Sequence, residues 1–139
     1  MGNMSSVTIV YFIDGRGHSP VEKWLDGLPD KARDKCYAKL EMLEEYGPEI
    51  GMPTVKPLRD KIFEVRAQSF GNQYRILFTV CTGRIALLAH AILKKTREVP
   101  NKDIDIALKR KAIYEKSLKK RRSNRSQNHA EREESKKER

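Results

Sequence analysis

Apolar and polar positions change period along the chain, and the changes mark the elements. Val7 to Ile13 (VTIVYFI) is rich in β-branched and aromatic residues and ends at Asp14-Gly15-Arg16-Gly17, which predicts a strand followed by a turn. Ser19-Pro20-Val21-Glu22 then reads as a helix start, with Ser19 as N-cap, Pro20 in the first helical position and Glu22 completing a capping box. Val21, Trp24, Leu25 and Leu28 recur at helical spacing, so the only Trp falls on the face to be buried. Pro29-Asp30 opens a second helix whose stripe is Ala32, Cys36, Leu40 and Leu43, helped by Tyr37, and Gly47-Pro48 stops it. So short a connection predicts a helical hairpin. Two prolines and a glycine from Glu49 to Pro57 predict a surface loop.

From Ile62 the period becomes two. Ile62 to Ala67 and Tyr74 to Val80 each alternate, with charge on one side, and Gly71-Asn72 supplies the turn between them. Thr82-Gly83 precedes a third strand, Arg84 to Lys94, which is apolar on both faces for most of its length, as a central strand would be. Pro100-Asn101 opens a last helix with Ile104, Ala107 and Leu108 on one face, extended by Tyr114 and Leu118. The order β, α, α, β, β, β, α predicts an α+β fold: two N-terminal helices packed on a small twisted, mostly antiparallel sheet, then a C-terminal helix, with the helices on one face.

Composition changes this picture at one end. The 139 residues carry 29 Lys+Arg against 19 Asp+Glu, a formal charge of +10, and only 38% are hydrophobic. Ten of the basic residues and four of the acidic ones lie in Lys116 to Arg139, which has Leu118 as its one large apolar residue. The chain therefore divides into a folded domain over residues 1–115 and a basic tail over 116–139, either disordered or extending the last helix. The longest nearly apolar run, Ile85 to Leu93, is too short to span a bilayer and is interrupted by His90. The first residues lack the pattern of a secretory signal, although Met1-Gly2-Asn3-Met4-Ser5-Ser6 fits the short myristoylation pattern. Cys36 and Cys81 have no companion at metal spacing and read as free buried thiols in a cytoplasmic protein.

No metal-ligand cluster, phosphate-binding glycine loop or nucleophile elbow is present. The distinctive feature is a set of cations on strands, Arg66, Arg75, Lys94 and Lys95, with Glu64 and His90 beside them. Charge kept in parity on a strand suits an open sheet face that binds an anion. Cross-strand pairing on a solvated face accounts for the same pattern. His90, alone in an apolar strand, suits a hydrogen-bonded core position as well as a catalytic one.

The run Leu58-Arg59-Asp60-Lys61-Ile62-Phe63-Glu64-Val65-Arg66, then Asn72 to Phe78, then Ile85 to Thr96 ending in Lys94-Lys95-Thr96, then Pro100 and Ala107, resembles the RelE/ParE toxin superfamily, in particular its HigB-like, phage-associated branch. Within the pattern, Lys61 stands where a small turn residue is usual. The resemblance implies the toxin of a type II toxin–antitoxin pair, with a helix-turn-helix antitoxin as partner. It further implies cleavage of mRNA on the ribosome, with no metal or organic cofactor. Such cleavage needs a base for the 2′-OH, cations for the charge growing on the phosphorane and an acid for the 5′-oxygen. Arg66 and Arg75 suit the phosphate, Glu64 or His90 the base, and Lys94 or Lys95 charge stabilisation or proton donation. His90 and Lys94 share parity but lie about 13 Å apart along a strand, so they cannot both touch one phosphate. The ranking is therefore Arg66 and Arg75, then Lys94 and Glu64, then His90. Lys119, Lys120, Arg121 and Arg122 offer an RNA-binding patch in the tail, which otherwise is simply solvated. The same fold permits a ParE-type toxin that poisons DNA gyrase by contact, or an inactive remnant of a phage or mobile element.

Overall fold

The computed structural model describes residues 5–137, with side chains described through Asn124. Met1 to Met4 of the myristoylation pattern, and Glu138 and Arg139 of the tail, lie outside the described residues. The element order is β1 (Thr8–Tyr11), α1 (Pro20–Asp26), α2 (Asp30–Tyr46), a 3₁₀ turn (Pro48–Ile50), β2 (Val55–Pro57), β3 (Phe63–Ser69), β4 (Asn72–Cys81), β5 (Ile85–Lys94) and α3 (Asn101–Lys137). The sheet order is β1-β5-β4-β3-β2. All neighbours are antiparallel except β1 and β5, which run parallel, a pairing that the long connection from Tyr11 to Ile85 allows. The α+β architecture expected from the sequence is the one observed.

Each element has the local cause read from its residues. The Ser19 hydroxyl accepts from the Glu22 N–H at 3.3 Å, and Pro20 occupies the start of α1. The α2 stripe Ala32, Cys36, Leu40 and Leu43 is buried against Val65, Ile76, Phe78 and Leu88 of the sheet. Trp24 meets Tyr74 edge-on at 6.0 Å, and Phe63 stacks on Phe78 at 5.4 Å. Both cysteines are free and buried.

Two expectations need correcting. The helices do not share one face, because α3 covers the side of the sheet opposite α1 and α2. Val99, Ile104 and Ala107 pack there on Ile62, Leu77 and Ala89, while Tyr114 joins Phe12, Cys81 and Leu87. Strands β4 and β5 are apolar on both sides, so a sheet covered on one side alone would leave Leu77, Leu87 and Ala89 in water. The segment Glu49–Pro57, expected as loop, contains the 3₁₀ turn and the edge strand β2, whose Val55, Lys56 and Pro57 pair with Val65, Glu64 and Phe63. Proline at a strand edge forfeits no ladder bond, which is why the composition misled.

Asp60 and Lys61 precede β3 at φ 53° and 64°, a left-handed conformation that a glycine would adopt with less strain than Lys61. Helix α3 runs without interruption from the body into the basic segment. No helix among the described residues is long and apolar enough to cross a membrane.

Candidate nucleic-acid interface and active site

Register puts the charged side chains together. Phe70 and Gly71 turn the β3–β4 hairpin at φ 50° and 80°, the two left-handed residues of a tight turn, and thereby fix Ser69 opposite Asn72. Counting back from that turn sets Arg66 directly opposite Arg75 and Glu64 opposite Leu77. A slip of one residue would send all of them to the other face. Two arginines in direct opposition repel, so the arrangement needs an anion between them.

Glu64 supplies it. Its side chain is 1% exposed, and its Oε1 accepts from Arg66 Nη1 at 2.8 Å. Its Oε2 faces Arg75 Nε at 3.6 Å, within ion-pair range but too long for a hydrogen bond, so both atoms are buried with no hydrogen-bond partner. Arg75 is 2% exposed and held by Nη1 to the Tyr74 carbonyl at 2.9 Å and by Nη2 to Gln73 Oε1 at 3.1 Å. Burial pushes its pKa below the ordinary arginine value, with Arg66 adding repulsion. Arg66 is the more open of the two, with 24% of its side chain exposed.

Lys94, opposite Gln73 at the end of β5, lies on the same face. Partial burial pushes its pKa down, and the cations Arg75, Arg66 and Lys56 reinforce the shift against the opposing pull of Glu64. Glu64, Lys94, Lys56 and Glu98 line a cleft of about 290 Å³ closed on one side by the start of α3. Arg59 builds that wall, pairing with Asp60 at 2.8 Å and Asp105 at 2.7 Å and bonding to Asn101.

The other expected residues fall elsewhere. His90 shares the face of Lys94 but is held by Asp103, whose Oδ1 is 2.8 Å from His90 Nε2, and by Arg110, whose Nη1 lies 3.3 Å from His90 Nδ1 and 2.8 Å from the Ala89 carbonyl. Because arginine can only donate, the proton sits on Nε2 and points to Asp103. His90 therefore fastens α3 to β5, and the base role offered for it has no open nitrogen to use. Lys95 follows the strand end and is exposed. Lys119, Lys120, Arg121 and Arg122 are exposed on α3, and Lys119 and Arg122 border a small cleft beside Cys81. Cys81 is six residues from Arg75 along β4, about 20 Å, so the tail cations stand at the opposite end of the sheet. Lys56 and Glu98 escaped the sequence reading, the first because β2 did. The pairing of Lys56 with Glu64 across the edge was its only signal.

A family described as Phage derived protein Gp49-like matches residues 23–112, which include every residue of the charged cluster. The chain belongs to the Gp49-like family. Two relatives are the proteins named "Probable endoribonuclease HigB1" of Mycobacterium tuberculosis strains CDC 1551 / Oshkosh and ATCC 25618 / H37Rv, each 31% identical over 108 residues, covering 76% of this chain and 81% of the relative. A third is "Putative toxin HigB2" of Mycobacterium tuberculosis strain ATCC 25618 / H37Rv, 34% identical over 76 residues, covering 51% of this chain and 38% of the relative. The family and these relatives bear out the resemblance to the HigB-like branch of the RelE/ParE superfamily. The basic end of α3 lies beyond the residues that the family matches.

Proposed function

We propose that this protein is the toxin of a type II toxin–antitoxin pair and an endoribonuclease that cuts mRNA on the ribosome by attack of a 2′-OH on the adjacent phosphate, with no metal. The observation that carries the reading is the gathering of Arg66, Arg75 and Lys94 about one buried carboxylate on an open sheet face beside a cleft. The HigB1 relatives, named as probable endoribonucleases, support RNA cleavage as the activity.

In this reading Arg66 donates to the non-bridging oxygens of the scissile phosphate, and Arg75 behind it, almost wholly buried, adds positive field. Glu64 orients both arginines: its oxygens are turned to them and away from water, so the role first offered for it as a base becomes a positioning one. Lys94, its pKa lowered, carries the proton to the departing 5′-oxygen. The exposed carboxylate in the cleft is Glu98, which suits the 2′-OH proton. Fixed donors of this kind act on the charge that develops in the transition state. A cognate helix-turn-helix antitoxin neutralises the toxin by covering the Arg66 surface. The folded toxin domain ends near Glu115, and the basic extension adds salt-sensitive affinity for ribosomal RNA away from the reacting phosphate.

The test is a cell-free translation reaction with the protein at the concentration of ribosomes, followed by mapping of message 5′ ends by primer extension. New ends within translated message are expected. Intact message, with accumulation of gyrase cleavage complexes in a parallel assay, would instead assign the fold to gyrase poisoning. Intact message with no effect on gyrase or on growth would make it an inactive remnant.

A further inference from the structure

A second cavity, larger than the cleft beside Lys94, adjoins the same arginines. It is a basin of about 530 Å³ on the other side of Arg66, where β3 passes beyond the reach of β2 and becomes the edge of the sheet. Helix α2 forms its far wall with Lys35 and Lys39, one turn apart, and the small side chains Ala38 and Ala67 leave the space between helix and strand. Arg66 and Arg75 form the near wall, so four cations line the basin and no carboxylate does. The cleft, by contrast, mixes Lys56, Arg59 and Lys94 with Glu64 and Glu98. Among the described residues neither Lys35 nor Lys39 is in an ion pair with a carboxylate. The buried guanidinium of Arg75 stands in the same wall, with its Nε turned to Glu64 at 3.6 Å.

Two glutamines complete the basin, and their amides have a fixed sense. Arg75 Nη2 can only donate, so Gln73 must present its Oε1, as it does at 3.1 Å. Its Nε2 then donates to Gln68 Oε1, also at 3.1 Å. Gln68 is left with its own NH₂ group at the exposed end of the relay, a pair of donors set by a buried guanidinium.

We propose that this basin binds the nucleotide next to the scissile bond, with Lys35 and Lys39 gripping its phosphate and the Gln68 amide donating to its base. The inference rests on the endoribonuclease reading above and extends it to how the substrate strand is held. Arg66 borders the basin and pairs with Glu64, which borders the cleft, and the distance from Glu64 to Gln68 along β3 is about 13 Å, longer than one nucleotide. One RNA strand crossing Arg66 therefore enters both. A purely cationic basin suits binding, and a mixed cleft suits proton transfer, which divides the labour between them. The volume is that of a small-ligand site.

The probe is a short RNA with a single 2′-deoxy nucleotide at the cleavage position, so that it binds without reacting, measured by fluorescence anisotropy and by ¹H–¹⁵N NMR on the full chain. Lys35→Ala/Lys39→Ala is expected to weaken binding about tenfold or more and to raise KM for the cleavable message, with the saturated single-turnover rate changed less than threefold. Gln68→Glu, which replaces the donors by an acceptor, is expected to alter the base preference at the nucleotide next to the cut. Oligonucleotide binding that depends on Lys35 and Lys39 without any cleavage would keep the basin and overturn the endoribonuclease. Unchanged binding and KM in the double variant, with cleavage intact, would overturn the basin and keep the enzyme. Perturbation of Lys35 and Lys39 amides by an acidic peptide but by no oligonucleotide would also overturn the proposal, since the basin would then be a protein-binding surface.

Discussion

Replacing Glu64 by glutamine separates its charge from its shape. Arg66 keeps an acceptor, but Arg75, at 2% exposure, loses the only carboxylate within 4 Å of it among the described residues. Removing one partner of a buried ion pair destabilises by about 3–5 kcal/mol. Arg75 keeps its bonds to Tyr74 and Gln73, so the low end applies, about 3 kcal/mol. For a domain of this size that is roughly 10–15 °C in Tm. Removing both charges, Glu64→Gln with Arg75→Met, should be less harmful than Glu64→Gln alone, because no uncompensated guanidinium remains. Inorganic phosphate should raise the Tm of Glu64→Gln more than that of the parent, since an anion in the basin replaces the missing charge. Thermal unfolding followed by circular dichroism, with and without phosphate, measures all three. A Tm within about 2 °C of the parent, or a double variant worse than the single one, would refute the placing of Glu64 as the counter-ion of Arg75.

Truncation after Glu115 should weaken ribosome binding at low salt and hardly at all at high salt, with the saturated cleavage rate preserved, since exposed cations remote from the charged cluster contribute counterion release but cannot hold the reacting phosphate in register; equal binding at both salts would remove that role. Leu77→Ala, under α3 and fully buried, should cost about 2–5 kcal/mol in urea unfolding, and a near-neutral change would contradict the two-sided core. Burial raises the Cys36 pKa from the ordinary thiol value of 9.0 to about 11. A raised acid is neutral in the fold when its unfolded counterpart has ionised, so its contribution is complete below pH 9 and lost as pH rises toward 11. Cys36→Ala should flatten the fall in Tm across that window. If Lys94 is the proton donor, cleavage should decline with rising pH at a lower midpoint than that of an ordinary lysine, and Lys94→Met should abolish the decline.

The fold was legible where residues had one task. The S-P-V-E cap, the α2 stripe and the strand parities of β3 and β4 each follow from one local preference, and all appear in place. The second helical layer was encoded too, in the apolar outward positions Leu77, Leu87 and Ala89, yet a doubly covered strand can be read without knowing which helix covers it. The charged cluster was legible as a set of strand-borne residues but not as an arrangement. Parity joined Glu64, Arg66 and Arg75, whereas the burial of Arg75 and the capture of His90 by Asp103 and Arg110 depend on where α3 lies. Lys35 and Lys39 looked like the solvated side of an amphipathic helix, and only the free edge of β3 beside them turns that side into a wall of a cavity.

The central claim is that the open arginine on this sheet face acts on a reacting phosphate. Single-turnover cleavage of message on saturating ribosomes, with a chelator present, for the parent and Arg66→Ala tests it most directly. The account predicts a rate lower by about 10²–10³-fold in the variant, with ribosome affinity changed far less and the fold retained. Equal cleavage rates, or a loss explained entirely by weaker binding, would contradict it.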